Sequence, residues 1–471
     1  MKLEPTSLPS NDALPFPTQI DPSNDVPEKA SLFNKAIIYW GLWDWGSAAF
    51  NAIVTTFIFA VYISNPDFFG DQANANLGWA LGIAGIVIAL IAPALGQAVD
   101  RSGKRATVLA ITTLGTASII GLLFFVRPEQ QYLTLGLALV ATGNILFETG
   151  SVVYNSLLAD LTERENYGRI SGFGWGLGYL GGIVLLLILF FGFINPDVGL
   201  FGVTSQDGLN VRVSMLLAGL WFAGFSLPLL LTLKNKPKAE DSAVEGFFEA
   251  YRELFRSIAD LWRNDRIVLW FLVSSAIYRD GLAGVFSFGA IIAGVAFGFS
   301  TSEVILFGIS ANVVAGIFTI GFGWLEDRIG AAKVIIFSVG SMVLLGTGVF
   351  LFHDGIFGIS GHDIYWIFGL ALTVFVGPTQ SASRTYLTRL APEGEEAEIF
   401  GLYATTGRAA SPIAPLLYAS AISAGAWYLD IARQDAAYFG ILGISAVLIV
   451  GLISFIPVAR HAKRRQRGLD S

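Results

Sequence analysis

The stretch GQAVDRSGKR, from Gly96 to Arg105, has a close counterpart in GWLEDRIGAAK, from Gly323 to Lys333. Both copies read G-x-x-x-D-R-x-G with a basic residue close behind, and the second begins 227 residues after the first. The glycines of such a loop permit a sharp chain reversal and a close approach of neighbouring helices. A single copy would be compatible with a generic tight turn, whereas two copies at equivalent places indicate a duplicated unit.

A second region repeats at almost the same offset. Five positions recur 229 residues later, so that Leu158, Leu161, Ile170, Gly172 and Gly178 correspond to Leu387, Leu390, Ile399, Gly401 and Gly407. The two regions thus repeat at nearly the same offset, 227 and 229 residues. We therefore predict two halves of the same fold in parallel orientation.

The composition places the chain in a membrane. Of its 471 residues, 54% are hydrophobic and 14% are charged, and the mean hydropathy is +0.63; soluble domains carry about 25% charged residues. Twelve apolar stretches are long enough to cross a bilayer, which takes about 20 helical residues. They are 37–63, 77–98, 106–126, 132–161, 170–194, 212–233, 266–297, 303–325, 334–352, 364–390, 399–424 and 436–458. We predict an all-α membrane protein with twelve transmembrane helices in two six-helix pseudo-symmetric halves.

The predicted organisation has five parts. They are a disordered cytosolic tail (1–31), a six-helix half (32–233), a cytosolic linker (234–265), a second six-helix half (266–458) and a basic tail (459–471). No apolar core precedes residue 32, so we expect no signal peptide. The basic run HAKRRQR at the end of the chain is interpreted as a cytosolic anchor rather than a nucleic-acid patch.

The linker contains the sequence SAVEGFFEAYRELFRSIADLW, which predicts an amphipathic helix. Ser242 and Glu245 have the spacing of a capping box. Apolar residues then recur at helical spacing, namely Phe247, Tyr251, Leu254, Phe255, Ile258, Leu261 and Trp262. Such a helix is expected to lie along the inner membrane surface, as a brace between the halves or as a regulatory element.

Lysine and arginine predict the orientation, because they accumulate in cytoplasmic loops. With both termini in the cytoplasm, 23 of the 29 Lys and Arg residues fall on the cytoplasmic side. The other six divide into three at the outer side or edge and three inside spans: Arg127, Arg212 and Arg433, and Arg279, Arg384 and Arg408. We predict cytoplasmic termini, and the plasma (inner) membrane if the source is bacterial.

Ionisable residues inside the apolar spans are the first candidates for function. An ionised group at a helix centre costs roughly 2.5–3.5 kcal/mol on insertion scales, so it must pair or face a cavity. Six are present: Asp44, Glu148, Arg279, Asp280, Arg384 and Arg408. Counting about 1.5 Å per residue places four of them near one midplane layer, Asp44, Glu148, Arg279 and Arg408. Arg384 and Asn155 lie nearer the inner surface, and they match each other at the offset of 229.

Polar residues accompany these charges at helical spacing. The predicted stripes are Asp44, Ser47, Asn51 and Thr55 in the first span, Asn144, Glu148, Ser151 and Asn155 in the fourth, and Thr373, Gln380 and Arg384 in the tenth. Each set occupies one helix face. We interpret these faces as the lining of a cavity that binds substrate or ions. The alternative is that the charges only pair with one another and lock the helices.

The repeated loop motif has a physical interpretation of its own. Asp100 and Asp327 can accept hydrogen bonds at a helix end, and Arg101 and Arg328 can pair with a carboxylate or with helix carbonyls. Such contacts can form in one conformation and break in another. The predicted gating residues are Gly96, Asp100, Arg101, Gly103, Lys104 and Arg105 in the first copy and Gly323, Asp327, Arg328 and Gly330 in the second.

The pattern G-x-x-x-D-R-x-G-K-R in a twelve-span chain resembles the loop signature of the major facilitator superfamily, and the resemblance covers residues 32–458. Three segments resemble its vacuole-effluxer branch: YWGLWDWGSAAFN, ISGFGWGLGYLGG from Ile170, and GPTQSASRTYLTRLAPEGEEAEIFGLYATTGRAASPIAP from Gly377. That branch is related to autophagy proteins proposed to export amino acids from fungal vacuoles. The resemblance implies that the first, fourth, seventh and tenth spans surround a central cavity.

Several kinds of chemistry are not expected. The chain has no cysteine and three histidines, which excludes disulfides and thiolate sites, and we expect no metal site and no other cofactor. It lacks G-x-x-x-x-G-K-[ST], so we do not expect nucleotide-driven pumping. We predict a transporter rather than an enzyme, monomeric in the bilayer, with a small-molecule solute and no nucleic-acid partner.

The predicted activity is alternating access by a secondary transporter or facilitator for a small polar solute. The resemblance favours amino acids and export. Acids and arginines on two sides of a cavity would suit a zwitterion, and Asp44 or Glu148 can titrate when desolvated, which is compatible with proton coupling. A non-transporting sensor or scaffold, and a sugar or drug facilitator, are the alternatives.

Single cysteines test the predicted topology, because the native chain has none. Asp207→Cys and His362→Cys lie in predicted outer loops and should react with a membrane-impermeant thiol reagent added to intact cells. Ser242→Cys, in the linker, should react only after the membrane is opened. The reverse pattern would invert the topology.

Overall fold

The computed structural model describes residues 33–235, 247–433 and 435–466. Twelve of its helices are long and apolar enough to cross a membrane, and the described residues form no β-strand. We number these spans α1 to α12: Lys35–Ile63, Ala75–Ser102, Arg105–Phe125, Gln130–Leu161, Arg164–Ile194, Gln206–Thr232, Arg266–Phe297, Glu303–Ile329, Ala331–Leu351, Gly361–Leu390, Glu396–Leu429 and Ala437–His461. The predicted fold is confirmed, and the predicted spans agree within six residues at each end.

The two ends of the bundle differ, and both copies of the repeated motif lie at the same one. We call this the motif end: α1 begins there, α12 ends there, and the α2–α3 and α8–α9 loops turn there. Gly103 and Gly330 carry these turns with φ angles of +64° and +89°, a region that favours glycine. The other end is called the opposite end.

Each half has its own hydrophobic core. One cluster is built mainly from α1, α3, α4 and α6 and includes Trp40, Phe50 and Phe222. The other is built mainly from α7, α9, α10 and α12 and includes Phe271, Tyr278 and Phe455. Burying these side chains separately allows each half to keep its shape while the contacts between the halves change.

The halves meet most extensively through two helix pairs, α2 with α11 and α5 with α8. Small residues allow the helices to touch. A Cβ atom on Gly172 of α5 would lie 2.7 Å from the Thr319 carbonyl oxygen of α8, and one on Gly401 of α11 would lie 2.5 Å from the Ala92 carbonyl oxygen of α2. Such small-residue contacts are typical of close helix packing in membranes.

The predicted linker helix is present as Phe247–Asn264 and packs against α2 and α7 at the motif end. Ser242 and Glu245, the predicted capping box, lie outside the described residues, as do the tail 1–31 and the last residues of the basic tail. The five-part division of the chain stays a prediction.

Two spans depart from regular α-helix. In α1, residues Ala49–Phe57 form a π-helix, in which each backbone amide bonds five residues back. In α11, the helix Glu396–Ala410 stops and a second helix, Ile413–Leu429, follows Pro412. Both irregularities border the cavity described below and re-aim the side chains that line it.

Candidate functional site

A cavity of about 990 Å³ lies between the two halves. At the motif end its lining stops at Phe400, Asp44, Asn155 and Arg384, about 6–13 Å inside their spans at ~1.5 Å per residue. In the other direction the lining reaches Val304 and Tyr365, in the first turns of α8 and α10 at the opposite end. The cavity therefore extends toward the opposite end and is closed off at the motif end.

Nine of the ten predicted binding residues line this cavity. They are Asp44, Asn51, Glu148, Asn155, Arg279, Asp280, Gln380, Arg384 and Arg408. They come from α1, α4, α7, α10 and α11, so the four spans expected to surround the centre do so, together with α11. What each residue binds stays a prediction.

Two positions on the predicted stripes differ. Asn144 is buried and does not line the cavity. At this level α4 packs closely on its neighbours, since a Cβ atom on the adjacent Gly143 would lie 2.9 Å from Phe50 of α1 and 3.1 Å from Ile119 of α3. In α1 the lining includes Thr56 rather than Thr55. The π-helix explains the second difference, since a repeat of five residues from Asn51 leads to 56.

The floor of the cavity is an ion pair between the halves. Nη1 of Arg384, in α10, lies 3.6 Å from Oδ2 of Asp44, in α1. The Tyr154 hydroxyl donates to the same carboxylate oxygen at 2.9 Å. The Arg384 side chain is only 4% exposed, so its charge depends on the partners that the other half supplies.

Three further hydrogen bonds hold the Arg384 guanidinium. Nε donates to Ser171 Oγ at 2.9 Å, Nη2 donates to the Ser171 carbonyl oxygen at 2.6 Å, and Nη1 donates to Asn155 Oδ1 at 3.0 Å. Asn155 and Arg384 are equivalent positions of the two repeats. Residues related by a two-fold axis can touch only near that axis, so this contact marks the pseudo-symmetry axis.

Aromatic rings enclose the same guanidinium. Its carbon lies 4.7 Å from the Trp40 ring centroid and 5.7 Å from that of Trp175. Trp40 is fixed by an indole N–H bond of 3.2 Å to the Tyr154 carbonyl oxygen and stacks on Tyr154. Trp43 also stacks on Tyr154 and donates to Thr113 Oγ1 at 2.9 Å. Trp40 and Trp43, which precede Asp44 in α1, thus form with Tyr154 a rigid receptacle for an arginine of the other half.

A second pair joins the halves inside the cavity. Nη2 of Arg408, in α11, lies 2.5 Å from Oε1 of Glu148, in α4, and both side chains are about 30% exposed. The four charges expected in one layer, Asp44, Glu148, Arg279 and Arg408, do not form one connected set. Asp44 pairs with Arg384 instead, and Glu148 pairs with Arg408. A common depth for the four stays a prediction.

Arg279 and Asp280 both brace α11. The Arg279 guanidinium carbon lies 3.5 Å from the Tyr403 ring centroid, and Nη1 donates to the Tyr403 carbonyl oxygen at 3.2 Å. Asp280 Oδ2 accepts from the backbone N–H of Ala414 at 2.6 Å, in the first turn after the break. A carboxylate at a helix N-terminus satisfies amides that lack helical partners, so α7 fixes both parts of α11.

The first motif loop binds the start of α11. Asp100 Oδ2 accepts from the backbone N–H of Glu398 at 2.9 Å. Arg105 holds the other oxygen of Asp100, with Nε at 3.2 Å, and also reaches Glu396 at 2.7 Å and Asp160 at 3.0 Å. Burial raises the pKa of the adjacent loop carboxyl Glu395, and the Glu396 charge raises it further. We call this set the α2–α11 lock.

The second motif loop repeats the arrangement at the start of α5. Asp327 accepts from the backbone N–H groups of Gly168 at 2.8 Å and Arg169 at 3.2 Å, and Arg169 Nε lies 2.8 Å from its Oδ2. A Cβ atom on Gly168 would lie 2.8 Å from the Gly323 carbonyl oxygen, so only glycine fits there. We call this set the α5–α8 lock.

In both locks a motif aspartate caps the start of a helix in the other half. The arginines that hold the aspartate differ. Arg105 belongs to its own motif, whereas Arg169 comes from the helix that is being capped. Arg101 and Arg328 are exposed, and the pairing predicted for them stays a prediction. Sequence reasoning also missed several partners: Tyr154, next to the predicted Asn155, and four residues of its quoted segments, namely Ser171, Trp175, Glu396 and Glu398. Glu396 and Glu398 are charged residues directly before a predicted span, which is a signal for them, whereas Tyr154, Ser171 and Trp175 offer none of this kind.

A family model described as "Vacuole effluxer Atg22 like" matches residues 160–468. The "Uncharacterized MFS-type transporter YxiO" of Bacillus subtilis is 25% identical to this chain over 438 residues, which cover 90% of this chain and 95% of YxiO. Autophagy-related protein 22-1 of Neosartorya fischeri is 26% identical over 267 residues, which cover 53% of this chain and 42% of that protein. The match thus spans less than half of the fungal relative.

Solved structures share the fold. A bacterial homologue of the iron transporter ferroportin in its outward-facing state has a TM-score of 0.64 and 16% identity, over 90% of this chain and 98% of that chain. The proton:xylose symporter XylE of the major facilitator superfamily has a TM-score of 0.65 and 13% identity, over 88% and 94%. At such identities the likeness concerns the fold alone.

A double-mutant cycle tests the ion pair at the floor. Asp44→Asn should lower the thermal stability of the purified protein, because it removes the carboxylate that lies against a buried guanidinium; breaking such a pair costs on the order of 3–5 kcal/mol. Arg384→Gln should also destabilise, and the double variant should lose less than the sum, with a coupling of about 0.5–3 kcal/mol.

Arg433→Gln is the matched control for this cycle, since Arg433 is exposed in the loop between α11 and α12. Its effect should add to that of Asp44→Asn, as distant sites do. Additive behaviour of Asp44→Asn with Arg384→Gln would show that the two charges do not stabilise each other.

Proposed function

The chain belongs to the Atg22-like vacuole effluxer family of MFS-type transporters, and we propose that it moves a small zwitterionic solute, of the amino acid class, by alternating access. The observation that carries the proposal is the Glu148–Arg408 pair, whose side chains are about 30% exposed and line the central cavity. A carboxylate and a guanidinium side by side present the two charges that an α-ammonium and an α-carboxylate require.

Charge neutrality explains why this pair suits a zwitterion. In the empty protein Glu148 and Arg408 neutralise each other, so the cavity can close without burying an unpaired charge. When a zwitterion enters between them, each group exchanges its partner for one of opposite sign on the solute. The site is then neutral both empty and loaded, and both forms can undergo the conformational change. A singly charged solute would leave one group unpaired.

The conformational change that we propose breaks the two locks. Each lock depends on a carboxylate that caps the first turn of a helix in the other half, and a cap contributes about 0.5–2 kcal/mol. Several contacts of that size can hold the motif end closed and still be exchanged for contacts at the opposite end. The two separate cores permit the halves to rock as units.

The direction and orientation belong to the same proposal. Because 23 of the 29 Lys and Arg residues lie in the tails, the linker and the loops of the motif end, we assign that end to the cytoplasm and this conformation to the outward-facing state. Export would load the solute after the locks open inward and release it from the cavity seen here. We also propose proton coupling through Asp44, since protonation would weaken its hold on Arg384.

A flux assay with substrate analogues tests the proposal. In proteoliposomes, a panel of labelled amino acids should include transported solutes. A competing analogue that lacks either the ammonium or the carboxylate group should bind about 10- to 100-fold more weakly, since a hydrogen bond to a charged group is worth about 1.5–3 kcal/mol.

Glu148→Gln and Arg408→Gln should each lower the transport rate at least tenfold while the protein remains folded, because each leaves one charge of the pair without its counter-charge. Arg127→Gln, exposed in the loop between α3 and α4, is the matched charge control and should keep the native rate. Native flux in Glu148→Gln, or equal competition by amines, carboxylic acids and zwitterions, would overturn the proposal.

A further inference from the structure

The linker helix Phe247–Asn264 presents an aromatic surface that no part of the described chain covers. Phe255 and Trp262 are 67% and 50% exposed. They are seven residues apart, which places them on one side of the helix. Large exposed rings on an amphipathic helix mark a surface that binds either a protein or a membrane.

Contacts with the protein fix which side of this helix turns outward. Leu261 is buried, and with the partly buried Ile258 it joins the core of the second half. Arg256 and Asp260 face a small pocket that they share with Asp100 of the α2–α11 lock. The helix is therefore held on two sides, and Phe255 and Trp262 lie on the remaining one.

The outward side continues the membrane-facing surface of α7. Trp270 lies about one turn inside this span and is 54% exposed. Its ring centroid is 6.5 Å from that of Trp262. Tryptophan favours the level of the lipid headgroups. The two tryptophans thus form one continuous apolar surface that runs from the span onto the linker helix.

Arginines flank this surface. Arg252 and Arg263 are exposed and eleven residues apart, which puts them on a common helix face. Arg266 lies with its guanidinium carbon 5.1 Å from the Trp262 ring centroid and donates to the Trp262 carbonyl oxygen at 2.7 Å. Guanidinium groups recognise phosphate through paired N–H donors. An anionic phospholipid offers both partners, a phosphate for the arginines and an acyl chain for the aromatic rings.

We propose that this surface, formed by Arg252, Phe255, Trp262, Arg263 and Arg266, is a docking site for anionic phospholipids of the surrounding bilayer. The rings enter the boundary between headgroups and acyl chains, and the arginines bind the phosphates. A bilayer fits better than a soluble protein, because Trp270 places the surface at the level of the membrane. The lipid would hold the helix whose other side borders the α2–α11 lock.

Single labelled cysteines test where the helix lies. The native chain has no cysteine, so Phe255→Cys and Asp260→Cys can each carry one environment-sensitive dye in nanodiscs. With phosphatidylglycerol present, the dye at 255 should be quenched by lipids with a nitroxide near the headgroup and protected from iodide. The dye at 260 should show the reverse, since it faces the pocket.

Arginine variants test the headgroup contact. Native mass spectrometry should show phosphatidylglycerol retained by the native protein, and Arg252→Gln with Arg263→Gln should weaken its retention by about fivefold for each arginine, as expected for basic residues at a membrane surface. The matched control removes two exposed arginines at the opposite end, Arg127→Gln with Arg433→Gln, and should retain phosphatidylglycerol like the native protein.

Three outcomes would overturn the proposal. Iodide quenching of the dye at 255 in bilayers with and without phosphatidylglycerol would show that the surface is open to water. Protection from iodide only at high protein-to-lipid ratios would show that a second copy of the chain covers it. Equal loss of retained lipid in both double variants would show that the arginines of the linker helix bind no headgroup.

Discussion

An arginine inside a bilayer must find acceptors for its five N–H groups and a counter-charge, and Arg384 finds nearly all of them in the other half of the protein. Asp44, Asn155, Ser171 and Trp40 come from three different spans of the first half. The requirement to satisfy this one guanidinium therefore positions α1, α4 and α5 around α10. It also explains why Trp40 and Trp43 are stacked on Tyr154 and hydrogen-bonded, since a rigid cage compensates the desolvation of a cation.

The contacts of Arg384 with Asn155 and Asp44 lie near the pseudo-symmetry axis. At this location they can be kept while the two halves rotate relative to each other. Rotation of two halves about a central point displaces groups at the axis least and groups at the ends most. The pair at the floor can thus persist while the distant locks open. The locks themselves are built from helix caps, each of modest strength, and from ion pairs in which Asp100, Arg105 and Asp327 are buried. A shift between states then needs only a few kcal/mol of differential binding.

The sequence predicted the features that the bilayer imposes, such as the number and length of the spans. It missed the contacts that depend on how each helix is rotated about its axis. The twelve spans follow from runs of about 20 apolar residues, and the match of Asn155 with Arg384 followed from the repeat. The partner of Asp44 did not, because a depth count along each helix contains no tilt or rotation. The π-helix of α1, which exchanges Thr55 for Thr56 in the lining, has no signal in residue spacing. Arg105 rather than Arg101 pairs with Asp100 because Gly103 turns the chain between them.

The central claim is that contacts between the halves at the motif end keep the cavity open toward the opposite end. Spin labels at Glu163→Cys and Lys333→Cys report on the motif end, and labels at Asp71→Cys and Arg433→Cys report on the opposite end. All four positions are exposed. Double electron–electron resonance in nanodiscs should give a short distance between the two motif-end labels and a long distance between the two opposite-end labels. Asp100→Asn, which weakens the α2–α11 lock, should populate the reverse combination. Identical distance distributions in the native protein and a folded Asp100→Asn variant would contradict the account.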